Sequence, residues 1–140
     1  MTSDTSDDLP DATLEEHFAA IDSPDFSIRV EAVRALERDG ISERVFERLV
    51  QCFDDPDTAV GEEAAAVLAR SGGLNGLRAV MVELANDDDN LGYFIRDRLI
   101  EMWVGGYPLD HRLGEVLSAE PSDAVREGVL EMYSVMGKRL

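Results

Sequence analysis

At 140 residues and 44% apolar content, the chain is one domain's length of foldable polypeptide, which excludes wholesale disorder. Its 30 acidic against 13 basic residues give a formal net charge of -17, which argues against nucleic acid as a partner. No run of 18 apolar residues occurs, so no membrane span is expected.

Twelve of the basic residues are Arg and only Lys138 is Lys. In molar salt the screening length shrinks to about 3 Å, so a dense carboxylate surface is tolerated and keeps the chain hydrated. A halophile's solvent adaptation is therefore the reading preferred over an acidic face evolved for a basic partner. The lone cysteine, Cys52, sits in an amphipathic stretch between Val50 and Phe53 and cannot form an intramolecular disulfide. With no charged-then-apolar leader at the start of the sequence, a cytoplasmic protein is expected.

Residues 1–12 are mostly Ser, Thr and Asp with little to bury, and read as a disordered acidic tail. Thr13 and Glu16 have capping-box spacing, and Leu14, Phe18 and Ile21 then fall on one helical stripe, so the first helix is expected from Thr13. A break follows at Asp22-Ser23-Pro24-Asp25, where Pro can open a helix and Asp can accept from its free amides. The break returns as Asp54-Asp55-Pro56-Asp57, and in altered form as Asp87-Asp88-Asp89-Asn90 and Ala119-Glu120-Pro121-Ser122.

After each break comes one helical phrase, anchored at Ile28, Val60, Leu91 and Val125 with offsets of 32, 31 and 34 residues. Such spacing is that of a stacked two-helix unit, with repeats at about 13–40, 41–73, 74–106 and 107–140. Four and eight positions after the anchors stand Ala32 and Leu36, Ala64 and Leu68, Ile95 and Leu99, Val129 and Tyr133, which form the expected core face. The opposing layer comes from Leu14, Phe18 and Ile21; Phe46, Val50 and Phe53; Val80 and Leu84; Leu113 and Leu117. Gly40, Gly72 and Gly137 suit left-handed helix ends, whereas the third phrase has Trp103 there and delays its glycines to Gly105 and Gly106. Its second helix is therefore expected to run one turn longer.

The phrase Asp-Pro-Asp-x-x-Val-Arg-x-x-Ala-x-x-x-Leu resembles Ser23-Pro24-Asp25 through Ile28-Arg29 to Ala32 and Leu36. It also resembles Pro121-Ser122 through Val125-Arg126, and Asp55-Pro56-Asp57 with Val60, Ala64 and Leu68. On these residues the chain is similar to HEAT repeats, specifically the short HEAT-like units of phycobilin lyases, over about 13–138. The resemblance implies an all-α, right-handed solenoid of four HEAT-like helix pairs. It also implies a structural Asp-to-Arg ladder, present at Arg29 and Arg126 but interrupted by Gly61 and Gly92.

Proteins of this kind include chromophore lyases with chaperone character, a di-iron hydroxylase, DNA-repair proteins and scaffolds, so residues must choose among them. The iron site needs repeated His-Glu steps, and His17 and His111 are not followed by Glu. The second helices are expected to expose Glu31, Glu62, Glu63, Asp97, Glu127 and Glu131, which disfavours phosphate binding. Asp87-Asp88-Asp89-Asn90 lacks the glycine turn and distal Glu of a calcium loop, and no nucleophile stands in a strained turn. No catalytic, metal or cofactor site is expected.

A protein-binding adaptor or scaffold follows as the expected function; an accessory protein holding a cofactor or immature subunit for an enzyme is the alternative. The candidate partner-binding residues lie in the third unit: Tyr93 and Phe94, where units one, two and four carry Val30 and Glu31, Glu62 and Glu63, Glu127 and Gly128, beside Arg96 and Arg98, with Trp103 and Tyr107 extending the patch. Either these rings are exposed anchors or they fold into the inter-repeat core. The last helix, with Val125, Val129, Leu130, Met132, Tyr133, Val135 and Met136, is apolar on more than one face. It is covered either by a homodimer partner or other subunit, or by the fourth unit's own first helix.

Overall fold

The computed structural model describes residues 4–86 and 90–137, with side chains described from Thr13 onward. Among the described residues it is all helix and turn: α1 (Asp4–Ile21), α2 (Phe26–Asp39), α3 (Glu43–Gln51) with a 3-10 turn at Cys52–Asp54, α4 (Thr58–Ser71), α5 (Gly73–Leu84), α6 (Leu91–Val104), α7 (Leu109–Ser118) and α8 (Asp123–Met136). These form four successive hairpins, the all-α solenoid expected. α1 is assigned from Asp4, so Thr13 lies within the helix and caps nothing. The expected tail falls mostly on residues whose side chains are not described, and the third break at Asp87, Asp88 and Asp89 lies outside the described residues.

The breaks work as the sequence suggests. Asp25 accepts from the Ser27 amide at 2.9 Å and Asp57 from the Ala59 amide at 2.9 Å. Ser122 does the same for Val125 and Ser42 for Val45, each at 3.2 Å. Each satisfies a backbone donor that the first turn of a helix leaves free.

All eight core-face residues of the second helices are buried, from Leu36 and Leu68 at 0% to Tyr133 at 7%. α4 is the hub. Its run Glu63 to Ala69 is buried on every side, as expected of a helix surrounded by others. α2, α3, α5 and α6 all pack on it. Burial pushes the Cys52 thiol, under the start of α4, up to about 11, so it is held protonated.

Two expectations fail at helix ends. α6 is no longer than the other second helices: each has 14 residues, and α6 is displaced along its phrase, starting at Leu91 and ending at Val104. Asn90 makes no side-chain cap, so nothing begins this helix early. Of the three glycines expected to be left-handed, only Gly137 is so at φ 78 and ψ 19. Gly40 has φ 96 but extended ψ 148, and Gly72 has φ -91, the positive φ having passed to Gly73 at 67. Gly72 is required for another reason: a β-carbon there would sit 2.6 Å from the Leu68 carbonyl oxygen and 3.0 Å from the Gly76 α-carbon.

Glycine also sets the closest helix approaches, more than the alanines on the core face. Gly76 of α5 lies against the Leu68 backbone of α4, and Gly128 of α8 against the Met81 backbone of α5. Removing a side chain lets two helices meet at the short end of the usual packing distance. The last helix thus packs chiefly on α5, the first helix of the third unit, and only slightly on its own hairpin partner α7. Of the two alternatives for what covers α8, the fourth unit's own first helix gives way to α5. Val125, Val129, Met132 and Tyr133 are buried there, while Leu130 and Val135 stay exposed.

Candidate interaction surface on the second helices

The layer made by α2, α4, α6 and α8 is tied across by ion pairs. Arg34 of α2 reaches Glu63 of α4 at 3.3 Å, and Arg98 of α6 reaches the same carboxylate at 3.2 Å and Glu62 at 3.1 Å. Arg96 of α6 reaches Glu131 of α8 at 2.5 Å. Glu63, expected on the surface, is instead only 4% exposed and shared between two guanidinium groups. A buried carboxylate requires such partners, which explains an acid in the middle of the hub helix. Glu31, Asp97 and Glu127 are exposed as expected, with Glu62 and Glu131 half-buried.

One rung of the Asp-to-Arg ladder is complete. Arg29 of α2 donates to both Asp55 carboxylate oxygens, at 2.9 and 3.0 Å, and to the Ser23 carbonyl at 2.8 Å. The interruption at Gly61 has a steric cause, since a β-carbon there would lie 2.8 Å from the Leu91 side chain and 3.2 Å from the Cys52 carbonyl. Leu91 fills the space that an Arg would cross. A second fork joins α2 to α4 at the far end, where Arg70 donates twice to Glu37 at 2.8 Å and Ser71 once at 2.5 Å. These bonds, the Arg70 ones foremost, hold the Glu37 carboxyl below its ordinary value.

The six candidate residues of the third unit separate into three groups. Tyr93 and Phe94 are exposed, at 57% and 39%, and meet edge to face with ring centres 5.6 Å apart. Arg96 stands 5.6 Å from the Tyr93 ring centre while holding Glu131, and Arg98 is spent on Glu62 and Glu63. Trp103 and Tyr107 turn inward: Trp103 is half-buried against the core, and the Tyr107 hydroxyl donates to the Ala69 carbonyl at 2.5 Å. Burial accordingly raises the Tyr107 phenol. The structure therefore brings Tyr93, Phe94 and Arg96 together and leaves Trp103 and Tyr107 in structural roles.

His17 lies 2.6 Å from Asp39, joining α1 to α2, and His111 lies 4.0 Å from Glu115 on its own helix. Among the described residues no group of three or more His, Cys, Asp or Glu is arranged to hold a metal. No helix among them is long and apolar enough to cross a membrane.

Sequence reading missed a groove of about 740 Å³ on the opposite layer, between α3 and α5. Ile41, Phe46, Ala79 and Val82 give it an apolar lining with Glu43, Glu47 and Arg78 around them. Val80 and Val82 held the signal: two residues apart on a helix, they cannot both face the core, and Val82 is 46% exposed.

Stacked helical hairpins, with ion pairs joining their second helices, define an α-solenoid. The family model for HEAT repeats matches residues 14–101, more than half of the chain, and the chain belongs to that family. No curated protein and no solved structure matches it. The matched span ends in α6, ahead of the hairpin whose second helix departs from regular stacking.

Proposed function

We propose that the chain is a non-catalytic adaptor that binds protein through Tyr93 and Phe94. The supporting observation is their exposure as a pair of aromatic rings on a layer whose equivalent positions carry no ring, with Glu62 and Glu63 in the second unit. Aromatic rings beside a guanidinium already fixed by its own ion pair offer large contact area at little ordering cost, as at interface hot spots. Replacing both by Ala is expected to reduce partner capture from native extract at least tenfold while leaving the melting temperature unchanged, since neither ring is in the core. A large fall in melting temperature with capture intact overturns the reading, and a bound chromophore or small molecule co-purifying with the chain replaces it with the accessory-protein alternative.

The reading places this adaptor in a salt-rich cytoplasm, supported by the net charge of -17 and by Arg as nearly the sole base. Raising ionic strength from about 0.1 M to about 1 M, which cuts the screening length from about 10 Å to about 3 Å, is expected to raise its thermal midpoint. A midpoint that falls, as the screening of ion pairs alone would give, argues instead for an acidic face held for a basic partner.

A further inference from the structure

The groove between α3 and α5 lies between the two middle units, so it belongs to neither end of the chain. Ile41, Phe46 and Ala79 form its half-buried floor, and Val82 stands 46% exposed on the α5 wall. Its charges divide between the walls. Glu43 and Glu47 are exposed on α3 and meet no cation among the described residues, the neighbouring Arg44 and Arg48 being held by Glu15 and Asp22. Arg78 on α5 meets no carboxylate among them. It donates to Asn75 at 3.0 Å and, on the α7 side of α5, to the Ala119 carbonyl in the turn after α7 at 2.9 Å. Both acceptors are neutral, so the guanidinium charge is left unpaired and further N–H donors remain.

The repeat sets these groups at one level. Val45 and Gly76, Leu49 and Val80, and Phe53 and Leu84 stand 31 residues apart and are all buried, so α3 and α5 follow the 31-residue offset of their units. Glu47 and Arg78 are separated by the same 31 residues and stand side by side on adjacent helices. An unpaired acid on one wall and an unpaired base on the other are what a surface needs to complement itself, because in a two-fold contact residue i meets j and j meets i.

We infer that this groove is a dimer interface, filled by α5 of a second copy of the chain, with the two-fold axis running along the helices. That rotation keeps each residue at its own level and exchanges left for right, so α5 of each copy enters the groove of the other. Ala79 meets Ala79 on the axis, where small side chains allow close approach. Val82 points into the opposite groove, and Arg78, turned away from its own α3, faces Glu47 on the α3 of the other copy. An axis across the helices would instead set α3 on α3, acid against acid, which like-charge repulsion disfavours. α3 and α5 have 9 and 12 residues, which at 1.5 Å per residue limits the contact to about 18 Å in length. An interface so small corresponds to a dissociation constant of roughly 10 to 100 μM. Because the groove and the Tyr93–Phe94 pair lie on opposite layers, both aromatic pairs stay outward in the dimer; on the reading of that pair given above, the adaptor becomes bivalent.

Sedimentation equilibrium at about 1 M salt tests this, since a screening length of about 3 Å removes the long-range repulsion between two chains of net charge -17. The mass is expected to rise from one chain toward two between about 10 and 300 μM. Val82→Asp and Glu47→Arg should each weaken pairing about tenfold or more without moving the melting temperature, as neither side chain has an internal ion pair or a place in the core. Arg78→Glu should weaken it likewise. An equimolar mixture of Glu47→Arg and Arg78→Glu chains should pair again to within about threefold of the native chain, each mixed dimer holding one native and one reversed ion pair. Where Arg78→Glu lowers the melting temperature through the turn at Ala119, Val82→Asp and Glu47→Arg decide alone. Replacing Tyr93 and Phe94 by Ala should leave pairing unchanged, which separates this surface from the partner-binding one. A native chain that remains single to about 300 μM overturns the proposal and leaves the groove to a foreign helix. A dimer that survives Val82→Asp and Glu47→Arg, or a mixture that pairs no better than its well-folded components, overturns it as well.

Discussion

Replacing Gly128 by Ala is expected to lower stability by about 2 to 3 kcal/mol, and with it the thermal midpoint by roughly 6 to 10 °C for a chain of this size. The added methyl would fall on the Met81 carbonyl oxygen, 2.7 Å from its carbon and 2.9 Å from the Met81 α-carbon. Those are backbone atoms of α5 and cannot swing aside as a side chain end does, so α8 must lift from the helix on which it chiefly rests. Ala raises helix propensity over Gly by about 1 kcal/mol, and the net figure already allows for that opposing gain. Gly114 supplies the control. It lies within α7 with nothing inside 4 Å of its hypothetical β-carbon. Gly114→Ala should therefore stabilise by about 0.5 to 1 kcal/mol through propensity alone. Circular dichroism melts of the two variants should move in opposite directions, and a Gly128→Ala melt that rises with that of Gly114→Ala would mean that the α5 and α8 backbones are not in contact.

The same two glycines show where sequence is legible and where it is not. Hairpin count, the capping Asp residues and the core face follow from residues that repeat at a fixed interval, because burying one stripe against the neighbouring unit imposes the same chemistry at each turn. The pairing of α8 with α5 imposes nothing repeated. Its closest approach is made at Gly128, which in a helical phrase reads as a lapse in pattern, and only the position of the Met81 backbone reveals it as a contact. The candidate surface divided in the same way. The departure at Tyr93 and Phe94 was visible against residues such as Glu62 and Glu63 of the second unit, whereas the counterparts of Trp103 are the glycines Gly40, Gly72 and Gly137, which say nothing of where a ring would point. α6 does end against the delayed glycines, at Val104 with Gly105 after it, and only the expected extra turn is missing, because the helix starts at Leu91 itself and not two residues before its anchor as the others do. The ion pair of Arg98 was hidden for want of Glu63: a charge buried in a hub helix draws guanidinium groups from both sides, here Arg34 and Arg98, and burial of an acid inside Glu62-Glu63-Ala64-Ala65 is invisible until α4 is known to be surrounded.

Leu91→Ala should cost about 2 to 4 kcal/mol, since its side chain is 2% exposed and its loss opens a cavity between α4 and α6. The more telling measurement is its coupling to Gly61. In the native chain Gly61→Ala sets a methyl 2.8 and 3.0 Å from the two Leu91 methyl carbons, so displacement of that side chain outweighs the gain in helix propensity and the net loss is about 1 kcal/mol. With Leu91 already cut to Ala the side-chain obstacle is gone and the Cys52 carbonyl oxygen at 3.2 Å alone remains, the methyl at position 61 fills part of the cavity, and the same change should stabilise by up to about 1 kcal/mol. A double-mutant cycle by urea unfolding should thus give an interaction energy of up to about 2 kcal/mol, within the range found for residues in contact. Effects that add to within about 0.5 kcal/mol would remove the steric explanation for glycine at this position. A coupling of the expected size makes the gap in the ladder a consequence of packing: the chain exchanges an Arg pair between the second and third units for an aliphatic wedge. The wedge brings α6 against α4, from which Tyr93 and Phe94, two and three residues on from Leu91, project outward.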